Sequence, residues 1–408
     1  MTRILLLIPD RTYKTHDFLD AARRLRVEVV VGMQDRPALA SAMGDGWLGV
    51  HLDEPEAGGR DVESAARDRP FDAVVGVDDG STLAAAHAAA RLGLPHNTVE
   101  AVEASRDKAR MRDLLAAAGL PTPDFRTWPA GMDPGEVTTP TFPVVVKPVD
   151  LSGSRGVIRA DDPAGLAAAF ARVASIVRGP DVCAPDDEPQ PIVVEEFIPG
   201  PEVAVEGLLR GGRLDVLAMF DKPDPLDGPF FEETIYVTPS RHPADVRSRI
   251  ERSVAAATAA LGLAEGPVHA EARVSPRGIY VLEVASRTIG GLCGRTLRFG
   301  AGMSLEELVL RHAARLPLPS LERESRAAGV MMLPIPARGR LVEVAGRAEA
   351  LAVPGVEGLV ITIPRGGDVV PLPEGDRYLG FMFARATTPE AVEDALRAAH
   401  RRLRVIVE

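Results

Sequence analysis

The 408-residue chain is poor in cysteine and in aromatic residues: it holds 2 Cys, and Phe, Trp and Tyr together make up 4%. Cys183 and Cys293 allow no disulfide framework and no thiolate metal cage, which fits a reducing cytosol, and both read as packing residues. Long apolar runs are missing as well. The run at 4–8 stops at Pro9, too short for a signal peptide or for the roughly 20 residues of a membrane span. The Ala-rich stretch 83–90 is interrupted by His87 and reads as a buried helix face. A cytoplasmic protein without a membrane partner is therefore expected. Surplus positive charge is missing too: 47 Lys+Arg against 58 Asp+Glu give a net charge of −11. A nucleic-acid partner is not expected, because binding the phosphate backbone needs clustered cations; a local basic pocket for one nucleotide is still allowed. Finally, the loop after the first apolar run reads P-D-R-T-Y-K. It has no G-x-G-x-x-G, so a nicotinamide or flavin fingerprint is absent where it would stand.

What is present is ordinary for a globular chain, with 46% hydrophobic and 26% charged residues, and the length predicts two or three domains. Apolar runs at 4–8, 27–31 and 73–77 alternate with helical spacing at 15–24 and 82–91, a βαβ rhythm that predicts a small parallel sheet. Asp78-Asp79-Gly80 stands between the last two of these. A helix is expected over 107–118, closed by Gly119 and Pro121. The stretch 130–141 reads as a linker, and the acidic, proline-rich 179–191 as an exposed insertion with no chemical role. Further strands are expected at 144–147, 192–197, 203–209, 214–220, 269–274 and 279–284, and further helices at 163–177, 243–261, 304–312 and 389–403.

Three motifs carry candidate chemistry. In V-V-V-K-P-V-D-L-S-G-S-R-G-V (144–157), Lys147 ends a buried strand and the loop Ser152-Gly153-Ser154-Arg155-Gly156 follows. Glycines let the backbone approach an anion and successive N–H groups make a concave anion site, to which a lysine adds a point charge. Read alone, this is equally a surface turn. In V-V-E-E-F-I-P-G-P-E-V-A-V-E (193–206), Glu195 and Glu196 end a strand and Glu202 opens the next. Strand neighbours face opposite ways, so Glu195 and Glu196 are not expected to share a pocket. In H-A-E-A-R-V…Y-V-L-E-V-A-S-R-T-I-G-G, two strands joined by a short turn pair antiparallel and bring Glu271 near Glu283. Converging carboxylates repel unless a cation joins them, and hard divalent metals with phosphate ligands accept such a set. Arg287 lies close by, and His269 reads as a strand residue rather than a ligand.

The order of these motifs resembles the ATP-grasp superfamily. The entry K-A-R-M-R-D-L-L-A-A-A-G-L-P-T-P (108–123) and the stretch M-F-D-K-P-D-P-L-D-G-P-F-F-E-E-T (219–234) are similar to its carboxylate–amine ligases, including L-amino-acid ligases (dipeptide synthetases). The resemblance implies an α/β (α+β) ATP-grasp fold. Residues 1–105 would form a Rossmann-like pre-ATP-grasp domain. Residues 106–205 would form a central subdomain with lid, Gly loop and adenine hinge. Residues 206–328 would supply the metal-bearing sheet and 329–408 a C-terminal lobe, with ATP between two antiparallel sheets. It implies that Lys108 and Lys147 hold ATP phosphates under Ser152, Gly153, Ser154 and Gly156. Glu195, Glu196 and Ile198 would line the adenine edge and Glu202 would bind the ribose. Glu271 and Glu283 would bind Mg²⁺, with Mn²⁺ an alternative, and Arg287 would stabilise the transferring phosphoryl group. Gly290 and Gly291 would shape a substrate pocket, with Lys222, Glu232, Glu233, Arg295 and Arg298 as further candidates. One departure stands out: Ala285 occupies the place where many members carry an Asn metal ligand.

The implied reaction joins a small-molecule carboxylate to an amine through an acyl phosphate and releases ADP and phosphate; a homodimer is allowed. The rivals are a bicarbonate- or formate-using ligase of the purine-biosynthesis or biotin-carboxylase type, and a nucleotide-binding protein without turnover.

Overall fold

A computed structural model describes residues 1–36 and 46–408. The N-terminal βαβ reading holds. Strands Trp47–Gly49, Glu28–Met33, Arg3–Leu7 and Ala73–Gly76 lie side by side in that order, all parallel. The central strand is apolar at every position after Arg3 because both its faces are covered. Ile4 and Leu6 enter one core with Phe18, while Leu5 and Leu7 enter another with Val62 and Ala85. The first core is completed from far along the chain, by Val309 and Leu310 of helix Leu305–Ala313. Two elements that the sequence reading passed over, helices Pro55–Ala66 and Val99–Arg106, belong to this half as well.

A second, antiparallel sheet has the order Phe125–Trp128, Ile192–Glu196, Val144–Pro148, Ile158–Ala160. Helix Pro163–Val177 backs it, placing Leu166, Phe170 and Val173 against Val144, Val146 and Ile192. The third sheet has eight strands. It starts at Gly278–Ala285, runs through Glu265–Ser275, Glu202–Arg210 and Arg213–Asp221, and continues without a break through Ile235–Thr238, Ala327–Leu333, Gly380–Ala386 and Val356–Ile361. The division expected at 205/206 therefore falls inside a strand, and the one at 328/329 inside another. The chain turns where a sheet edge does, not where its composition shifts. Helices Lys108–Ala117 and Ala244–Ala260 cover one face of the large sheet through Met111, Leu115, Ile250 and Val254.

The turn between the two antiparallel sheets is tight. Gly200 has φ +127°, and a Cβ there would collide with the Val274 carbonyl oxygen. An L-residue meets both a disfavoured backbone region and a backbone clash at this position. Gly200→Ala is expected to cost about 2–4 kcal/mol, read as a lowered urea midpoint; a loss within ~0.5 kcal/mol would show that the turn yields freely.

Candidate active site

A cavity of about 370 Å³ lies between the two antiparallel sheets. Its roof is strand Val144–Pro148 with the loop after it, and its floor is the hairpin Glu265–Ser275/Gly278–Ala285. The tips of the parallel sheet close one side with Pro9, Tyr13, Asp78 and Asp79.

The roof is cationic. Lys147 and Lys108 are buried, and Arg112 behind them is fully so. Arg112 Nε donates to Glu195 Oε2 at 3.0 Å, and Lys147 Nζ donates to Glu195 Oε1. Burial opposes the Glu195 charge, but Arg112 and Lys147 outweigh it and hold the carboxyl down at about 2. Lys147 falls to about 8, because burial, Arg112 and Lys108 together outweigh the one carboxylate. Lys108 Nζ donates to the Leu151 carbonyl at 2.6 Å and stands 3.9 Å from Glu283 Oε2. Three cations thus meet fewer carboxylates at the roof, which leaves it ready for a polyanion.

The floor is anionic. Glu271 lies directly opposite Glu283 in the hairpin, and a bulge follows, since Ala272 pairs with Val281. Leu282 is the extra residue, and its carbonyl accepts from Arg112 Nη2 at 2.8 Å, which satisfies the group the bulge leaves outside the ladder. Oxygens of Glu202, Glu233 and Glu271 lie within 4.8 Å of one another. Lys222 Nζ sits among them, 2.7 Å from Glu202 Oε1 and 3.0 Å from Glu271 Oε1, and donates to Glu233. Burial works against the Lys222 charge, but Glu202, Glu233 and Glu271 outweigh it and raise its pKa well above the ordinary value. That trio is therefore answered by an ammonium. The remaining oxygen of Glu271 and the Glu283 carboxylate, both on the cavity wall, form an all-oxygen donor set. It fits a hard divalent cation that takes its other ligands from phosphate or water. Ala285 adds no donor; it pairs with His269 across the hairpin.

Arg287 joins the N-terminal half to this wall. Its Nη2 donates to Asp79 Oδ2 at 2.7 Å, and its Nε is 3.6 Å from Asp78 Oδ1. Burial opposes its charge, but Asp79, Asp78 and Glu283 more than offset that and raise its pKa. Asp78 is held in turn as the N-cap of helix Asp79–Leu92, in a capping box with Ser81. The Asp-Asp-Gly stretch thus opens the helix, which starts at Asp79 rather than at the expected 82. Buried Lys14 steadies the junction by donating to Asp78 Oδ1 at 3.3 Å and to the Thr288 carbonyl at 3.1 Å.

The cavity wall brings together Lys108, Lys147, Ser152, Gly153, Ser154, Glu195, Glu196, Ile198, Glu202, Glu233, Glu271, Glu283, Arg287, Gly290 and Gly291. Both Glu195 and Glu196 border it, although the Glu196 carboxylate turns away to accept from Arg277 at 2.7 Å. Glu202 is already engaged on both oxygens, by Lys222 and by Arg273 Nε at 3.0 Å. Lys222 lies beneath the wall. Four further candidates also lie off the wall. Glu232 borders a separate small pocket with Ile335, and Arg295 donates to Asp17 at 2.8 and 2.9 Å. Arg298 donates to its own chain at Arg295 and Leu297. Gly156 spends its N–H on the Pro373 carbonyl at 2.9 Å. Each of these four meets neighbours outside the cavity wall. Tyr13, Asp79, Tyr236, Arg273, Met332 and Tyr378 line the wall without having been singled out. Cys293 lines it too, with burial pushing its thiol well up, so it packs rather than reacts.

Comparison with known proteins agrees with this geometry. The ATP-grasp domain family matches residues 140–296, the ATP-grasp N-terminal domain matches 19–96, and the L-amino acid ligase C-terminal domain 2 matches 331–408. The crystal structure of an L-amino acid ligase from Bacillus licheniformis superposes with a TM-score of 0.81 and 27% identity, covering 100% of this chain and 99% of that one. A D-alanine–D-alanine ligase from Gloeobacter violaceus is 32% identical over 239 residues, which is 54% of this chain and 72% of the relative. An alanine–anticapsin ligase from Bacillus subtilis is 27% identical over 247 residues; the match spans 55% of this chain and 50% of that protein. Its roof of lysines under a glycine loop, its paired carboxylates and these likenesses agree: the chain belongs to the ATP-grasp superfamily, among its ADP-forming carbon–nitrogen ligases.

Proposed function

We propose that the protein joins the carboxylate of one amino-acid-like substrate to the amine of another, through an acyl phosphate, with release of ADP and phosphate. The observation that carries this reading is the polarity of the cavity: buried lysines on the roof, and carboxylates with Arg287 on the floor. The relatives, an L-amino acid ligase, an alanine–anticapsin ligase and a D-alanine–D-alanine ligase, support the same substrate class.

Lys147 and Lys108 would meet the ATP phosphates, and the N–H groups of the 152–154 loop would close over them. Glu271 and Glu283 would hold Mg²⁺, which supplies charge neutralisation when bound. Arg287, released in part from Asp79, would face the negative charge that develops on the transferring phosphoryl group and then on the oxyanion of the tetrahedral intermediate. A closed loop excludes water from the acyl phosphate until the amine attacks. A nucleotide binder without turnover, the reading that Ala285 invites, would form no ADP with any pair in a screen of amino acids. A bicarbonate- or formate-using ligase would form it with those acids alone.

Glu283→Ala is expected to lower steady-state turnover at least tenfold, about 1.4 kcal/mol or more in barrier, with the thermal midpoint kept. A variant that retains most of the rate would free Glu283 of the metal role. The lowered pKa of Lys147 gives ATP binding a pH signature. A bound polyanion raises that pKa from about 8, so binding takes up a proton there. Affinity should be level below about pH 7 and fall as pH rises through 8, by up to about tenfold per unit. Lys147→Met should bind more weakly and lose that slope. Calorimetry in buffers of different ionisation heat reads the proton directly, and a flat profile in the wild type would detach Lys147 from the phosphates. With a carboxylate substrate labelled with heavy oxygen, one label should pass into inorganic phosphate. Label in AMP with pyrophosphate release would instead mean an acyl adenylate.

A further inference from the structure

The 152–156 loop is held partly by segments distant in sequence. Gly153, Ser154 and Gly156 all take left-handed backbone angles, φ +65°, +57° and +73°, and for Ser154 that conformation is disfavoured. The loop's own bonds are the Arg155 N–H to the Ser152 carbonyl at 3.4 Å and the Val157 N–H to the Ser154 carbonyl at 3.2 Å, and the C-terminal lobe adds one contact directly and another through the helix behind the loop. The Pro373 carbonyl accepts the Gly156 N–H at 2.9 Å. Its neighbour Glu374 accepts from Arg172 Nε and Nη2 at 2.6 and 3.0 Å, and Arg172 lies on helix Pro163–Val177, which backs the same small sheet. From the other side Arg155 donates to Asp181 at 2.7 Å, so the 179–191 stretch, expected to be idle, braces the loop.

The same C-terminal segment reaches across the cavity mouth. Asp376 accepts from Arg11 at 3.1 Å, the Tyr378 N–H donates to Tyr13 Oη at 3.2 Å, and Tyr378 Oη donates to Glu233 at 3.2 Å. One short stretch, anchored in the large sheet by strand Gly380–Ala386, therefore touches the loop, helix Pro163–Val177, the N-terminal tips and the cavity floor.

We propose that residues 373–378 are a clamp that sets the position of the 152–156 loop, with Glu374 as a positioning residue that governs how the activated substrate divides between amine and water. This rests on the acyl phosphate reading above. Amine attack on the acyl carbon forms the C–N bond, breaks the C–O bond to phosphate, and releases phosphate and a proton. Water attack breaks the same bond, returns the carboxylic acid as its anion, and releases phosphate and protons. Each route has already converted one ATP to ADP, so the ratio of ADP to amide counts the leak. Glu374 touches no reacting atom. Its pair with Arg172 is partly exposed, with side-chain exposures of 30% and 43%, so losing it should barely change stability.

The test uses the full-length protein with ATP, L-alanine and a panel of amino acids, in wild type, Glu374→Gln, Arg172→Gln and the exchanged double variant Arg172→Glu/Glu374→Arg. ADP, amide and backbone hydrogen exchange at 152–157 are measured together. The single variants are expected to raise ADP per amide roughly two- to fivefold, the range one partly exposed ion pair spans, and to speed exchange at the loop. The double variant should move both readouts back toward wild type. Unchanged ratio and unchanged exchange in both single variants would overturn the clamp while leaving the ligase reading intact, because amide is still made. If wild type makes no amide with any pair, the ligase reading fails instead. Loop exchange then decides the clamp alone: faster in the single variants upholds it, and unchanged removes it.

Discussion

Taking a charge out of water costs several kcal/mol unless counter-charge and hydrogen bonds meet it, and at the centre of this protein the Glu195 carboxylate meets that requirement for two cations at once. Arg112 comes from the helix that opens the central region, Lys147 from the roof strand, and Glu195 from the strand beside it. Arg112 also reaches the bulged carbonyl of Leu282 on the floor. One guanidinium thus links the roof to the floor. Replacing the group with an apolar side chain would remove the link as well as the charge.

The cavity that results is polarised. Its cations gather under the glycine loop and its carboxylates on the hairpin opposite, with Lys222 already inserted into the densest acidic trio. A ligand that carries a chain of negative charge toward a metal completes both halves, since each then meets the opposite sign. This complementarity explains why a chain with a net charge of −11 can serve an anionic substrate: the sign that matters is local.

Much of this was legible in the sequence where the signal is a period or a motif on a strand. The buried parallel strand Arg3–Leu7, the lysine before the glycine loop and the facing Glu271 and Glu283 all follow from apolar runs and strand alternation. What stayed hidden depends on distant segments meeting. Asp79 pairs with Arg287 across 208 positions, Arg295 is claimed by Asp17, and Glu374 finds Arg172 in another lobe. Asp78-Asp79-Gly80 has the composition of a turn and becomes a helix start because Asp78 caps it. Local composition does not record such partners, so Arg295 and Glu232 looked as available as Glu233.

The eight-stranded sheet carries a different consequence. Its hydrogen bonds run unbroken from the carboxylate hairpin to Val356–Ile361, through the junction of Ile235–Thr238 with Ala327–Leu333. Recombination between relatives at the seam before residue 331, where one matched domain family begins, would cut a strand rather than a linker. Viable chimeras should instead exchange the four-stranded antiparallel sheet, which shares no strand with the large one and meets it through the connection at Pro229 and Phe230. The four-stranded antiparallel sheet is thus the interchangeable module of this architecture, and the eight-stranded one is its chassis.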